Sequence, residues 1–197
     1  EVEKILLTRS PEMVYTLIEL GLLDAFLKKR MPEPWRLHRL GSIQRKAMPR
    51  WAALCCALEK FGCIDSAEEF LTALRLDSRT IRCCSNAEVL VKQPKPADKA
   101  AWKRALCAYG VDSVSCAAQC YDAFSGGGSA RELRAVLKSG ECFSMKHLAV
   151  TGDDLLELGL RGRELGDMLR FLLDYVMEYP ANNRRELLLT LARGTEE

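Results

Sequence analysis

The sequence predicts an all-α fold, a multi-helix body followed by a small helical tail that contains a helix-turn-helix-like glycine turn. Three observations carry this. Apolar residues recur at i, i+3, i+4 and i+7 over most of the chain, no run alternates in strand fashion between hairpin turns, and helix-start residues stand ahead of most periodic segments. A boundary is expected at the Gly126-Gly127-Gly128-Ser129 run, with residues 1–125 as body and 126–197 as tail.

Val2, Ile5 and Leu6 share one side of a helix that ends near Leu7. Ser10-Pro11-Glu12 then reads as a start, Ser10 as N-cap and Pro11 at the first helical position, for a helix to about Leu20 that stops at Gly21. Leu22 to Lys29 is expected as a second short helix, broken by Met31-Pro32-Glu33-Pro34. Helical spacing returns from Arg36, and Pro49 can open a helix in which Trp51, Leu54, Cys55 and Leu58 share a face before Gly62. Asp65 or Ser66 caps the next helix, with Phe70, Leu71, Leu74 and Leu76, and Asp77 or Ser78 caps another that carries Arg79, Arg82 and Lys92. The prolines of Gln93-Pro94-Lys95-Pro96 impose a loop. Asp98 begins a helix with Lys99, Trp102, Lys103 and Arg104 that ends before Gly110, and a further helix spans about Ser113 to Phe124. The triple glycine is read as a hinge or surface loop, because no Gly-Lys-Ser/Thr follows it as a P-loop requires. Ser129 is expected to cap Ala130 to Lys138, which ends at Gly140.

Composition narrows the class. The 197 residues are 48% hydrophobic and 28% charged, as for a soluble globule, and the net charge of +2 is too small to argue for nucleic acid by itself. The distribution says more: Arg75 to Arg104 holds eight Lys or Arg against three acids, whereas the chain from Glu141 onward holds seven against eleven. Nine cysteines without a CxxC pair, and only His38 and His147 beside them, argue against a zinc site and for small apolar core residues in a reducing cytosol. No signal sequence and no run of eighteen apolar residues is present, so neither export nor membrane insertion is expected. The first residue is Glu1 rather than Met, which points to a processed chain or a piece of a longer one.

The most informative stretch is His147 to Ala192. Thr151 or Asp153 can cap a first short helix, Gly159 ends it, and Gly162 permits a sharp turn, since glycine takes positive φ without a Cβ clash. Leu165, Met168, Leu169, Leu172, Leu173, Val176 and Met177 then form one apolar stripe. Arg161 and Arg163 flank Gly162 at the start of that helix, where outward amides and the positive dipole end make a phosphate site. Gly166, one turn in, costs roughly 1 kcal/mol relative to Ala, which close approach of a nucleic-acid backbone or of the preceding helix would explain. An ordinary helical hairpin whose glycines serve packing is the competing reading. Asn183 and Glu186 have the spacing of a capping box for the last helix.

No catalytic constellation emerges. Gly-x-Ser-x-Gly, His-Glu-x-x-His and an Asp-x-Asp pair are all missing, and the adjacent Asp153 and Asp154 point about 100° apart on a helix. They fit a helix N-terminus better than one shared ion. No catalytic residue and no metal ligand is assigned.

The stretch TGDDLLELGLRGRELGDMLRFLLDYVMEYPANNRRELLLTLA resembles the C-terminal tail of bacterial tRNA nucleotidyltransferases of the class II, CCA-adding type, which are grouped with the poly(A) polymerase family. The matching features are Gly152-Asp153-Asp154-Leu155, the Gly159/Gly162/Gly166 turn, the Leu-rich helix, and Asn183 with Glu186. EVEKILLTRSPEMVYTLIELGLLDAFL is similar to the segment beyond that family's catalytic core, and FLTALRLDSRTIR to part of its body. RWAALCCALEK resembles a body helix that in many relatives carries His-Asp where this chain has Cys56-Ala57. A phosphohydrolase needs that pair for metal, so a degenerate hydrolase-like domain is the weaker alternative.

The resemblance implies that the segment holds the elbow of tRNA while a head domain, reached through a neck, adds C, C and A to the 3′ end in the cytoplasm. It implies contacts from Gly159, Gly162, Arg163 and Gly166, with Lys146, Arg161, Arg184 and Arg185 as supporting charges. No cofactor is expected in this segment; Mg2+, CTP and ATP would belong to the head, and the segment alone would be inactive. The partners implied are tRNA and the parent's head and neck, with no membrane. A helical scaffold without RNA binding remains the alternative, favoured by the acidic bias after Glu141.

Overall fold

The computed structural model describes residues 1–32 and 35–194, with the side chains of residues 35 and 36 left aside. The expected proline break at 31–34 therefore lies partly outside the described residues, at Glu33 and Pro34. The described chain is all-α, without a strand among the described residues. It divides into two units, one of Glu1–Lys95 with Tyr109–Leu133 and the other of Pro96–Ala108 with Arg134–Glu197. The sequence placed the parting at 125/126 instead.

In the first unit α1 (Val2–Leu6) is followed by a 3-10 turn, Pro11–Met13, and then α2 (Val14–Glu19). Ser10 does not cap with its side chain as expected, because the chain enters through the tighter turn. The helix expected over Leu22 to Lys29 is only a 3-10 turn, Asp24–Phe26. Its carboxylate, Asp24, faces outward to Arg30 (2.6 Å), and the chain becomes extended at Leu27.

After α3 (Trp35–His38) comes α4 (Ala47–Lys60), in which every residue from Pro49 to Leu58 is buried. A helix enclosed on all sides can approach its neighbours closely only with small residues, and Ala52, Ala53, Cys55, Cys56 and Ala57 supply them. The buried Arg50 is not an error in this pattern. Its guanidinium donates to the carbonyl of Leu6 at the open end of α1 and to those of Thr8 and Ile43 beyond it. Around α4 lie α5 (Ala67–Ala73) and α6 (Ser78–Lys92). Of the alternatives left open by sequence, Ser66 caps α5 through the Glu69 amide (3.2 Å) and Asp77 caps α6 through Thr80 (3.0 Å).

Helix α7 (Lys99–Ser125) contains a break at Gly110, with φ 77° and ψ 163°, so its first half belongs to the second unit and its second half to the first. Three glycines at positive φ, Gly126 to Gly128, then lead to α8 (Ser129–Lys138). The expected cap by Ser129 is corrected. Asp122 reaches down from α7 and accepts from the amides of Ser129 (2.5 Å) and Ala130 (3.0 Å), leaving Ser129 as the first residue inside the helix.

The second unit is built on α9 (Gly152–Glu157), α10 (Gly162–Glu178) and α11 (Arg185–Gly194). Leu155, Leu160, Leu172, Leu173, Val176, Met177 and Leu188 form its core, and Leu165, Met168 and Leu169 pack against it partly buried. The stripe expected on α10 is therefore the buried face. Lys103 is enclosed here at 1% exposure, its ammonium paired with Glu141 and donating to the Met177 carbonyl (3.0 Å). Arg104 beside it pairs with Asp174 (2.6 Å) and with Glu178. These contacts assign the first half of α7 to this unit, which the sequence spacing did not reveal.

Candidate nucleic-acid interface

The two helices that meet at the glycine turn start in different ways. At α9 Thr151 accepts from the Asp154 amide (3.3 Å) while Asp154 accepts from the Thr151 amide (2.7 Å), a complete capping box. Arg185 of α11 closes over the same carboxylate at 2.6 Å. The Thr151 amide, the Arg185 guanidinium and the Thr151 hydroxyl together hold the Asp154 carboxyl down to about 2.

Gly159 ends α9 with φ 98°, and its amide donates to Leu156 (3.0 Å). Leu160 dips into the core. Arg161 is then the extended residue ahead of α10, and no described side chain caps that helix. Gly162 follows at φ 55°, a conformation costly for any residue with a Cβ. Four first-turn amides of an α-helix lack intrahelical acceptors, so this end presents donors and a partial positive charge outward.

The expected residues fall into groups. Gly159, Arg161, Gly162 and Arg163 are exposed at the turn, the Arg163 side chain at 94% and held only by a 3.5 Å approach to Asp167. Gly166 is helical, and a Cβ there would meet nothing within 4 Å. Packing against the preceding helix, one of its two expected explanations, is thereby removed. Lys146 and Arg184 are exposed on two segments joined by Asn183, which accepts from the Ala149 amide (2.8 Å) and donates to the His147 carbonyl (2.9 Å). Asn183 thus clamps across the chain and does not form the expected capping box with Glu186. Arg185 is committed to Asp154 and so differs from the other arginines. Arg170 was missed: it lies seven residues after Arg163, and Asp167 touches both, at 2.8 Å and 3.5 Å. That spacing puts the two arginines on one helix face and could have identified Arg170.

Elsewhere in the chemistry the first unit holds a cavity of about 510 Å3 lined by Cys56, Glu59, Lys60, Glu88, Lys92 and Phe124. Lys92 bridges Glu59 and Glu88 there, each at 3.1 Å. Among the described residues no group of three His, Cys, Asp or Glu side chains could hold a metal ion, and no helix is long and apolar enough to cross a membrane.

The described residues define an all-helical protein that exposes a helix start flanked by arginines. Residues 45–192 match the family described as tRNA nucleotidyltransferase domain 2. The chain belongs to that family. The solved structure of the Bacillus stearothermophilus CCA-adding enzyme in complex with CTP superimposes with a TM-score of 0.74 over 98% of this chain, at 22% identity. At that identity the likeness is one of fold, and this chain spans 50% of the length of that protein. A search of curated proteins finds no match.

Proposed function

We propose that this chain is the tRNA-binding C-terminal region of a tRNA nucleotidyltransferase, positioning tRNA for nucleotide addition at its 3′ end by a head domain not encoded in these residues. The observation that carries the reading is the start of α10. Arg161, Gly162 and Arg163 are exposed around a helix N-terminus that no described side chain caps. Such an end binds phosphate through backbone amides and dipole, and glycine lets a nucleic-acid backbone come close. Folded RNA is read by shape and backbone rather than base edges, which suits amides and guanidinium groups. Arg170, Lys146 and Arg184 add charge, while Arg185 acts on the fold through Asp154. The head would bring Mg2+, CTP and ATP, and the site of action would be the cytoplasm.

Filter binding of this chain to tRNA, against the variant Arg161→Ala/Arg163→Ala, tests the reading. Loss of two phosphate contacts lowers the slope of log K against log salt by roughly 1.4 to 1.8. An unchanged affinity and slope would remove the turn from the interface. Absence of binding to tRNA and to a random RNA alike would instead favour the scaffold reading, to which the acidic excess after Glu141 gives some weight.

A further inference from the structure

Cys83 of α6 and Cys116 in the second half of α7 lie in the interior of the first unit with their sulfurs 3.6 Å apart. Two contacts beside them fix their register. One turn before them Arg79 pairs with Asp112 (2.7 Å), and beyond Cys83 Asn86 donates to the Ser113 hydroxyl (3.3 Å). We propose that Cys83 and Cys116 are a modification site, a thiol pair that hydrogen peroxide converts to a reversible disulfide.

The two sulfurs are not equivalent. The hydrogen bond shared with Cys116 holds Cys83 below the ordinary thiol range against burial and the nearby Asp112 carboxylate, with Ser113 and Arg79 adding to the lowering. Cys116, hydrogen-bonded to that sulfur and buried beside it, is pushed far up. Cys83 is therefore the nucleophile and Cys116 the resolving thiol. The Cys83 thiolate attacks one peroxide oxygen, the O–O bond breaks, and the departing hydroxide takes a proton to leave as water. The resulting Cys83 sulfenic acid no longer carries the negative charge that held the proton on Cys116. The Cys116 sulfur then attacks that of Cys83, and the sulfenic oxygen leaves as a second water with the Cys116 proton. Two thiols are oxidised by two electrons, and one peroxide is reduced to two waters.

The bond requires the sulfurs to close by roughly 1.5 Å. Both cysteines are 3% exposed, so a small neutral oxidant reaches them by local opening, one turn from the Arg79–Asp112 pair on the surface. Other cysteines lack the combination. Burial pushes the thiols of Cys55 and Cys84 up, and Cys120 is likewise raised beside Cys56, while Cys107 is exposed. A metal-bound role is not on offer among the described residues.

The test uses the full reduced chain, stoichiometric hydrogen peroxide, alkylation of remaining thiols, and mass spectrometry before and after non-reducing digestion. The expected product has lost two hydrogens, maps to a Cys83–Cys116 crosslinked peptide, and reverts with dithiothreitol. Before oxidation Cys83 should alkylate faster than Cys84, whose thiol burial pushes up. Cys107→Ser should leave the crosslink intact and Cys83→Ser should abolish it. Full alkylation of Cys83 and Cys116 after peroxide has consumed the Cys107 thiol overturns the proposal. So does a crosslink that maps to Cys56–Cys120. Both outcomes are read on the unmutated chain and do not depend on a variant folding.

Discussion

Helices α9 and α10 are separated by one short turn, yet the first is closed by its own residues and the second is not. At α9 a hydroxyl, a carboxylate and an arginine from α11 converge on the first turn. At α10 Arg161 stands where α9 has the Thr151 hydroxyl, Gly162 follows at positive φ, and Glu164 in the place of Asp154 forms no side-chain cap with Arg161. Capping stabilises a helix by about 1 kcal/mol, so its omission from the longer helix is a local loss of stability. Binding sites often forgo stability in this way, because donors already satisfied inside the fold cannot serve a ligand.

Transplanting the cap is the most severe way to break the contrast. Arg161→Asp should add about 1 kcal/mol to thermal stability through a new cap and helix-dipole interaction. The same change should weaken tRNA binding by about tenfold or more, because it removes one phosphate contact and adds a repulsive charge. Melting and filter binding on the same preparation would show the opposite signs; parallel changes would mean that the open end serves only the fold. Gly166→Ala follows with a smaller effect. A methyl at this position meets nothing within 4 Å, so the variant should gain up to about 1 kcal/mol while losing tRNA affinity. A gain in stability with affinity unchanged would place the RNA elsewhere.

The least effect is expected at the closed end. Asp154 titrates below its ordinary 3.8, at about 2, in the folded chain. A depressed carboxyl stabilises the fold above its unfolded pKa and loses that contribution as pH falls through the folded one. Thermal melts should show the wild type exceeding Asp154→Asn by a constant margin above about pH 4, with the difference fading towards about pH 2. A difference that persists at the lowest pH would assign the effect to side-chain shape rather than charge.

Local signals proved readable where donor and acceptor are close in sequence. Ser66, Asp77 and Thr151 cap helices two or three residues ahead, and helical spacing located the buried face of α10. Long-range substitutes were not readable. Asp122 supplies the α8 cap from seven residues upstream, and Asn183 spans 34 positions to reach Ala149. No periodicity distinguishes these polar side chains from their solvated neighbours. The same holds for Lys103, which reads as a surface cation because its partners, Glu141 and Met177, lie far along the chain. For the turn, the sequence indicated positive φ at Gly159 and Gly162; the commitment of Arg185 to Asp154 needed three-dimensional placement.

The break at Gly110 bears on synthesis. The chain leaves the first unit after Lys95, returns at Tyr109, and leaves again after Leu133. A nascent chain can complete the first unit once residue 133 has emerged, but the helix that carries Lys103 must wait for Glu141 and then Met177 before its ammonium has partners. Cutting at the triple glycine would separate that lysine from both, so residues 126–197 made alone would retain Glu141 without its counter-charge. The visible linker is thus a poor place for scissors.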